Sequence, residues 1–113
     1  GRAQVFDRMR RLFEQYDVLI TPCTAVPPFA VERNYPETIN GRPMATYIDW
    51  VAPTFLLTLA GVPVAAVPAG LTADRLPVGL QVAGRRGDEE TVLAVAATVE
   101  RTKSLTLPEL AEV

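Results

Sequence analysis

LAGVPVAAVPAG (Leu59–Gly70) and, shortly after it, LPVGLQVAG (Leu76–Gly84) are the two stretches on which the reading of this chain turns. Gly61 suits the left-handed cap that stops a helix, and Pro63 two residues later blocks any continuation. Val64–Val67 then reads as a strand. Pro68 has no N–H to give a ladder, so the strand ends or bulges there. In the second stretch Val78, Leu80 and Val82 share one face, while Gly79, Gln81 and Ala83 share the other. Val78–Ala83 is therefore a second strand whose small-residue face admits a close neighbouring layer. The connection Leu71–Pro77 is short enough for an antiparallel hairpin. Gln81 reads as a buried strand amide with its hydrogen bonds satisfied.

The whole run Val51–Ala73 carries no charge and is long enough to span a bilayer. Pro53, Pro63, Pro68, Gly61 and Gly70 would break such a helix repeatedly and strand its backbone groups in lipid. Buried core is the better reading. Thr46 caps a helix reaching Leu59 or Ala60, and Pro53 inside it predicts two helical pieces meeting near Ala52.

Upstream, Val5, Met9, Leu12, Phe13 and Tyr16 recur at helical spacing, which predicts an amphipathic helix over residues 2–15. Arg8, Arg10 and Arg11 are its solvated face, balanced by Asp7 and Glu14. Val18-Leu19-Ile20 is wholly apolar and predicts a strand buried on both faces, ended by Thr21-Pro22. Residues 22–43 contain five prolines and the turn signal Asn40-Gly41. Such a loop is either functional or a plain surface connection. Downstream, Asp88 caps a last helix with Glu89 and Glu90 in its first turn and Val92, Val95, Ala96 and Val99 as its buried stripe. Periodicity fades from Thr102. The order of elements says α/β with a partly mixed sheet.

Composition closes several routes. The 113 residues include one cysteine, no histidine and a net charge of −2. Zinc has almost no ligands to draw on, and Asp88-Glu89-Glu90 lacks the spacing of a calcium loop, so neither metal nor cofactor is expected. The acidic balance gives no footprint for nucleic acid. Cys23 stands alone, so no internal disulfide forms and the expected location is cytoplasmic. Ser104 and Lys103 are the only residues of their types. A chain opening on Gly1 directly into a helix suggests a piece of something longer.

Tyr16-Asp17-Val18-Leu19-Ile20-Thr21-Pro22, the proline-rich loop, a Tyr-containing helix, then LAGVPVAAVPAG and LPVGLQVAG together resemble the C-terminal part of an amidase-signature enzyme. The likeness covers roughly Tyr16 to Arg101. It implies that residues 1–113 are the C-terminal portion of one larger α/β domain, a mixed sheet flanked by helices, with the N-terminal catalytic portion absent. Such enzymes act on carboxamide C–N bonds through a serine nucleophile, a second serine and a lysine base, with backbone oxyanion donors. None of these parts carries over. Ser104 and Lys103 are adjacent and lie outside any Gly-rich segment, so no catalytic residue is assigned and the chain alone is expected to be silent.

What the resemblance leaves to this segment is an acyl-pocket wall for a small amide substrate, at Pro22, Cys23 and Thr24 and at Tyr47, Trp50, Val51 and Thr54. In the transamidase branch an aspartate on this helix holds the substrate's amino group. Counting back from Ala60-Gly61 puts that position near Val51, not Asp49, so the pocket implied is apolar or aromatic. Tyr47, Val51 and Phe55 also fit a simple core stripe, and Trp50 a gap filler. Cys23 reads as an inert thiol, because no nearby residue lowers its pKa. Where relatives have Asp-Gly, this chain has Asp74-Arg75, which predicts a turn without a left-handed residue there. The alternative to a segment of a hydrolase is a non-catalytic module that associates with itself or with another chain.

Overall fold

The computed structural model describes residues 1–102, so Lys103 and Ser104 lie outside the described residues. In chain order the elements are α1 (Arg2–Gln15), β1 (Val18–Pro22), β2 (Thr38–Ile39), β3 (Arg42–Pro43), α2 (Tyr47–Leu59), β4 (Val64–Leu71), β5 (Pro77–Gly84) and α3 (Glu89–Thr102). Three strands form one sheet in the order β1-β5-β4, and both pairings are antiparallel. The β2–β3 pair is a separate two-stranded hairpin turning through Asn40 (φ 50°) and Gly41 (φ 76°). Two consecutive left-handed residues are what a tight two-residue hairpin demands.

The alternation read along β5 divides the core in two. Val82 joins Val67, Val92 and Ala96, with Val18, Ala65, Leu80, Val95 and Val99 packed around them, so α3 covers that face. Ala83 joins Phe13 and Leu57, flanked by Met9, Leu12, Leu19 and Val62, so α1 and α2 cover the other. Helices on both faces of a sheet make a layered α/β arrangement. Close packing on the α3 side depends on Gly84, where a Cβ would stand 2.5 Å from Val92 Cγ2. The Gly79–Gln81–Ala83 face admits side chains from α1, α2 and Cys23 as its near layer.

The strand at Val18 is not enclosed on both sides. Ile20 shares the α3 face with Val18 yet is 48% exposed, because α3 lies over β4 and β5 and β1 is an edge strand among the described residues. Register shows which groups that edge leaves open. Cys23 N–H donates to Gly79 C=O (3.1 Å), directing Cys23, Thr21 and Leu19 toward β5. The backbone groups of Val18 and Ile20 therefore point outward.

Helix α2 runs unbroken through Pro53. Proline at that position removes one intrahelical bond, and both ends are held independently. Thr46 accepts from Asp49 N–H, and Asp49 Oδ2 accepts from Ala45 N–H (2.9 Å) and Thr46 N–H (3.1 Å). At the other end Leu57 and Ala60 are buried and Gly61 takes φ 69°. The stripe Tyr47, Val51, Phe55 is not core in this chain, since Tyr47 and Phe55 are 48% and 37% exposed. Pro68 bulges the strand as expected, with a register shift between Pro68 and Gly70. In α1, Arg10 pairs with Asp7 and Glu14 and Arg11 with Asp7, all well exposed. Asp88 accepts from Thr91 N–H at the head of α3, and this bonding lowers its pKa.

The β4–β5 turn departs from expectation in an informative way. Arg75 adopts φ 64° despite its side chain. Thr72 N–H donates to Leu76 C=O (2.8 Å), Arg75 N–H to Thr72 C=O (2.9 Å) and Leu76 N–H to Thr72 Oγ1 (3.0 Å). The closed ladder on one side and the threonine clasp on the other hold the turn in the shape glycine usually provides. A non-glycine residue in that region costs about 1–2 kcal/mol. Arg75→Gly is expected to stabilise the fold by roughly 1 kcal/mol once glycine's own entropy is subtracted, read as a higher urea midpoint with unchanged slope.

Candidate functional site

The exit of β1 and the first two turns of α2 are tied together by one short bond. Thr54 Oγ1 donates to Cys23 C=O at 2.7 Å. Cys23 has already extended the β1–β5 ladder one residue past Pro22, so its carbonyl is fixed in place before the helix reaches it. Thr24 Oγ1 turns back to Val26 C=O (2.8 Å) and starts the loop. On β5, Gln81 Nε2 donates to Pro22 C=O (3.3 Å) and lies within 3.4 Å of Thr21 Oγ1, so the buried amide braces the same strand exit.

The proline-rich loop then folds back on α2 through aromatic rings. Phe29 meets Trp50 edge to face at 5.4 Å, Trp50 meets Tyr47 at 5.6 Å, and Tyr47 meets Tyr35 at 6.4 Å. Such pairs contribute about 0.5–1.5 kcal/mol each beyond burial. Tyr35 OH is further tied to Ala45 C=O (3.2 Å). Beneath the rings lies a cavity of about 270 Å³ bounded by Cys23, Thr24, the Val26–Phe29 segment, Trp50 and Pro77–Gly79. No charged side chain lines it.

Of the residues singled out from sequence, Cys23, Thr24 and Trp50 meet at this cavity. Tyr47 stands behind Trp50, half exposed, and Val51 is on the same helix but outside the wall. Pro22 faces a second apolar cavity of about 320 Å³, with Leu19, Pro53, Leu56 and Leu57 among its walls. Phe29 and Gly79 were not anticipated. Phe29 could have been noticed as the aromatic directly after Pro27-Pro28, whereas Gly79 becomes relevant only when register sets it beside Cys23.

Two electronic features matter. Burial pushes the Cys23 thiol up from its usual pKa, so the neutral S–H persists to higher pH and the nucleophilic thiolate is scarce. Trp50 Nε1 is buried with no hydrogen-bond partner, a state that costs about 1–3 kcal/mol when a donor stays unsatisfied. Asp49 is spent on the helix cap and does not reach the cavity wall.

A strand exit, an aromatic-lined loop and a helix closing an apolar cavity beside a helix-covered sheet define part of a layered α/β domain. A family model described as Amidase matches residues 1–93, and the chain belongs to that family. It is 40% identical over 105 residues to a glutamyl-tRNA(Gln) amidotransferase subunit from Granulibacter bethesdensis, covering 93% of this chain and 20% of that protein. A bacterial aryl acylamidase of the amidase-signature family superposes with a TM-score of 0.77 at 38% identity, over 88% of this chain and 21% of the other. The corresponding amidotransferase subunit from Thermotoga maritima superposes at 0.72 with 27% identity, over 91% and 21%. The chain thus spans about a fifth of the length of these relatives.

Two outcomes are expected at the wall. Alkylation of Cys23 by iodoacetamide at pH 8 should be slower than that of a cysteine peptide, with the gap narrowing in urea and at higher pH, because the folded thiol ionises later. A Cβ at Gly79 would stand 3.0 Å from Cys23 Sγ. Gly79→Ala should therefore destabilise by about 1–3 kcal/mol, and adding Cys23→Ala should recover part of that loss in a double-mutant cycle of thermal melts.

Proposed function

We propose that residues 1–113 are the C-terminal portion of an amidase-signature domain that, when complete, hydrolyses a carboxamide to carboxylate and ammonia. In this reading the chain supplies sheet core and one wall of the acyl pocket, and alone it is inactive. Cys23, Thr24 and Trp50 line the wall; Tyr47 buttresses Trp50, and Val51 faces the substrate only when the rest of the domain closes over α2. The apolar, uncharged lining favours an aryl or aliphatic acyl group over one bearing an ammonium.

The observation that carries the reading is the surface of α2. Ile48, Phe55, Leu56 and Leu59 are 60%, 37%, 47% and 41% exposed on a helix with one charged residue, Asp49. A helix apolar all round belongs inside a larger body. The open edge of β1 and the unpartnered indole N–H of Trp50 agree with it, since each needs a group from outside the described residues. The paired Lys103-Ser104 offers no second serine, which supports inactivity. A non-catalytic module that binds another chain is favoured by the same open edge. No helix among the described residues is long and apolar enough to cross a membrane.

The test is a chimera in which this chain replaces the matching segment of the bacterial aryl acylamidase. The chimera is expected to hydrolyse an aryl amide, with Trp50→Ala raising KM while kcat changes little, the mark of lost uniform binding. The isolated chain should release no ammonia above a buffer blank. A folded chimera without hydrolysis would sink the wall reading and leave the non-catalytic module. Turnover by the isolated chain would overturn its inactivity.

A further inference from the structure

A third cavity among the described residues plays no part in the pocket wall. It encloses about 450 Å³ between α1, the end of α2 and the turn from β5 into α3. Phe6, Met9, Phe13 and Val62 make its apolar lining, and Arg10, Glu14, Arg85 and Arg86 stand around them. It shares no lining residue with the cavity at Trp50. The two sit near opposite ends of β5, roughly 20 Å apart at about 3.4 Å per residue.

The charges at this cavity do not cancel. Glu14 is engaged by Arg10, which also binds Asp7. Arg85 has only a loose contact with Asp17, at 3.8 Å, and a long bond to Tyr16 C=O. Arg86 makes no ion pair or hydrogen bond among the described residues, and its guanidinium rests 5.8 Å over the Phe6 ring. Arg86 is thus left without an anionic partner among the described residues, and Arg85 with only a loose one, on a chain whose overall charge is −2. The volume lies in the range of small-molecule sites, which combine an apolar lining with a few polar anchors.

We propose that this cavity binds a small amphipathic monocarboxylate. Its apolar body lies against Phe6, Met9, Phe13 and Val62, and its carboxylate is held by the fork of Arg86 with Arg85 beside it. Guanidinium matches a carboxylate with two parallel bonds, which a neutral amide cannot reproduce. The site needs no catalytic group, so it stands whether or not the complete domain hydrolyses amides.

The test titrates the 113-residue chain, and separately the acylamidase chimera, with 4-phenylbutyrate and with the isosteric neutral 4-phenylbutanamide, following the Met9 methyl resonance. Saturable binding of the acid is expected in both proteins, about tenfold tighter than the amide. Arg86→Gln should abolish that preference, while Arg2→Gln leaves it intact. Arg86 is a surface residue, and an unchanged melting curve would show that the variant folds. Equal binding of acid and amide would overturn the proposal. So would undiminished preference in Arg86→Gln, or shifts that move the Trp50 indole signal in place of Met9. Binding lost in the folded chimera would do the same, because the cavity would then be filled by the rest of the domain.

Discussion

Strand β5 is the element on which everything else rests, because among the described residues it is the only strand of its sheet with a neighbour on each side and helices over each face. Val82 and Ala83 are adjacent in sequence and both fully buried, and the pleat sends them into different cores. One core fixes α3 and the other fixes α1 and α2. Gly84 closes the strand by letting Val92 approach to a distance no Cβ would allow. At about 25 cal/mol per Å² of apolar area removed from water, the two layers are the chief favourable contribution to folding.

From that strand the geometry of the pocket wall follows. Gly79 and Gln81 lie on the same sheet face as Ala83, where one makes room for Cys23 and the other braces Pro22. Thr54 then reaches Cys23 from α2, and Trp50 one turn earlier meets Phe29 from the loop. A loop of more than twenty residues is thereby ordered by a hairpin, a tyrosine hydroxyl and a row of edge-to-face rings, without a conventional core of its own.

Much of the fold was legible beforehand. Helix spacing in α1 and α3, the cap at Asp88, the Asn40-Gly41 turn, the Pro68 bulge and the two faces of β5 each follow from local chemistry. The misreadings share a cause. Pro53 argued for a broken helix, yet capping at Thr46 and anchoring at Leu57 and Ala60 outweigh one missing bond. Arg75 argued against a left-handed turn, yet Thr72 holds it there with three hydrogen bonds. Ile20 looked buried because its neighbours are apolar, but burial depends on where a strand falls in the sheet. The wall was half legible: Cys23, Thr24 and Trp50 come together, while Phe29 and Gly79 enter through contacts that span 21 and 56 positions.

The sequence by itself determined most of the secondary elements, the family and the absence of a serine pair, because propensity, capping and motif order are local properties written residue by residue. Only the tertiary structure decided which strand became central, which apolar helix face stayed uncovered, and that Arg86 found no anionic partner among the described residues. Those outcomes depend on long-range pairing, where a neighbour's presence or absence sets whether a buried group, a charge or a backbone edge is satisfied.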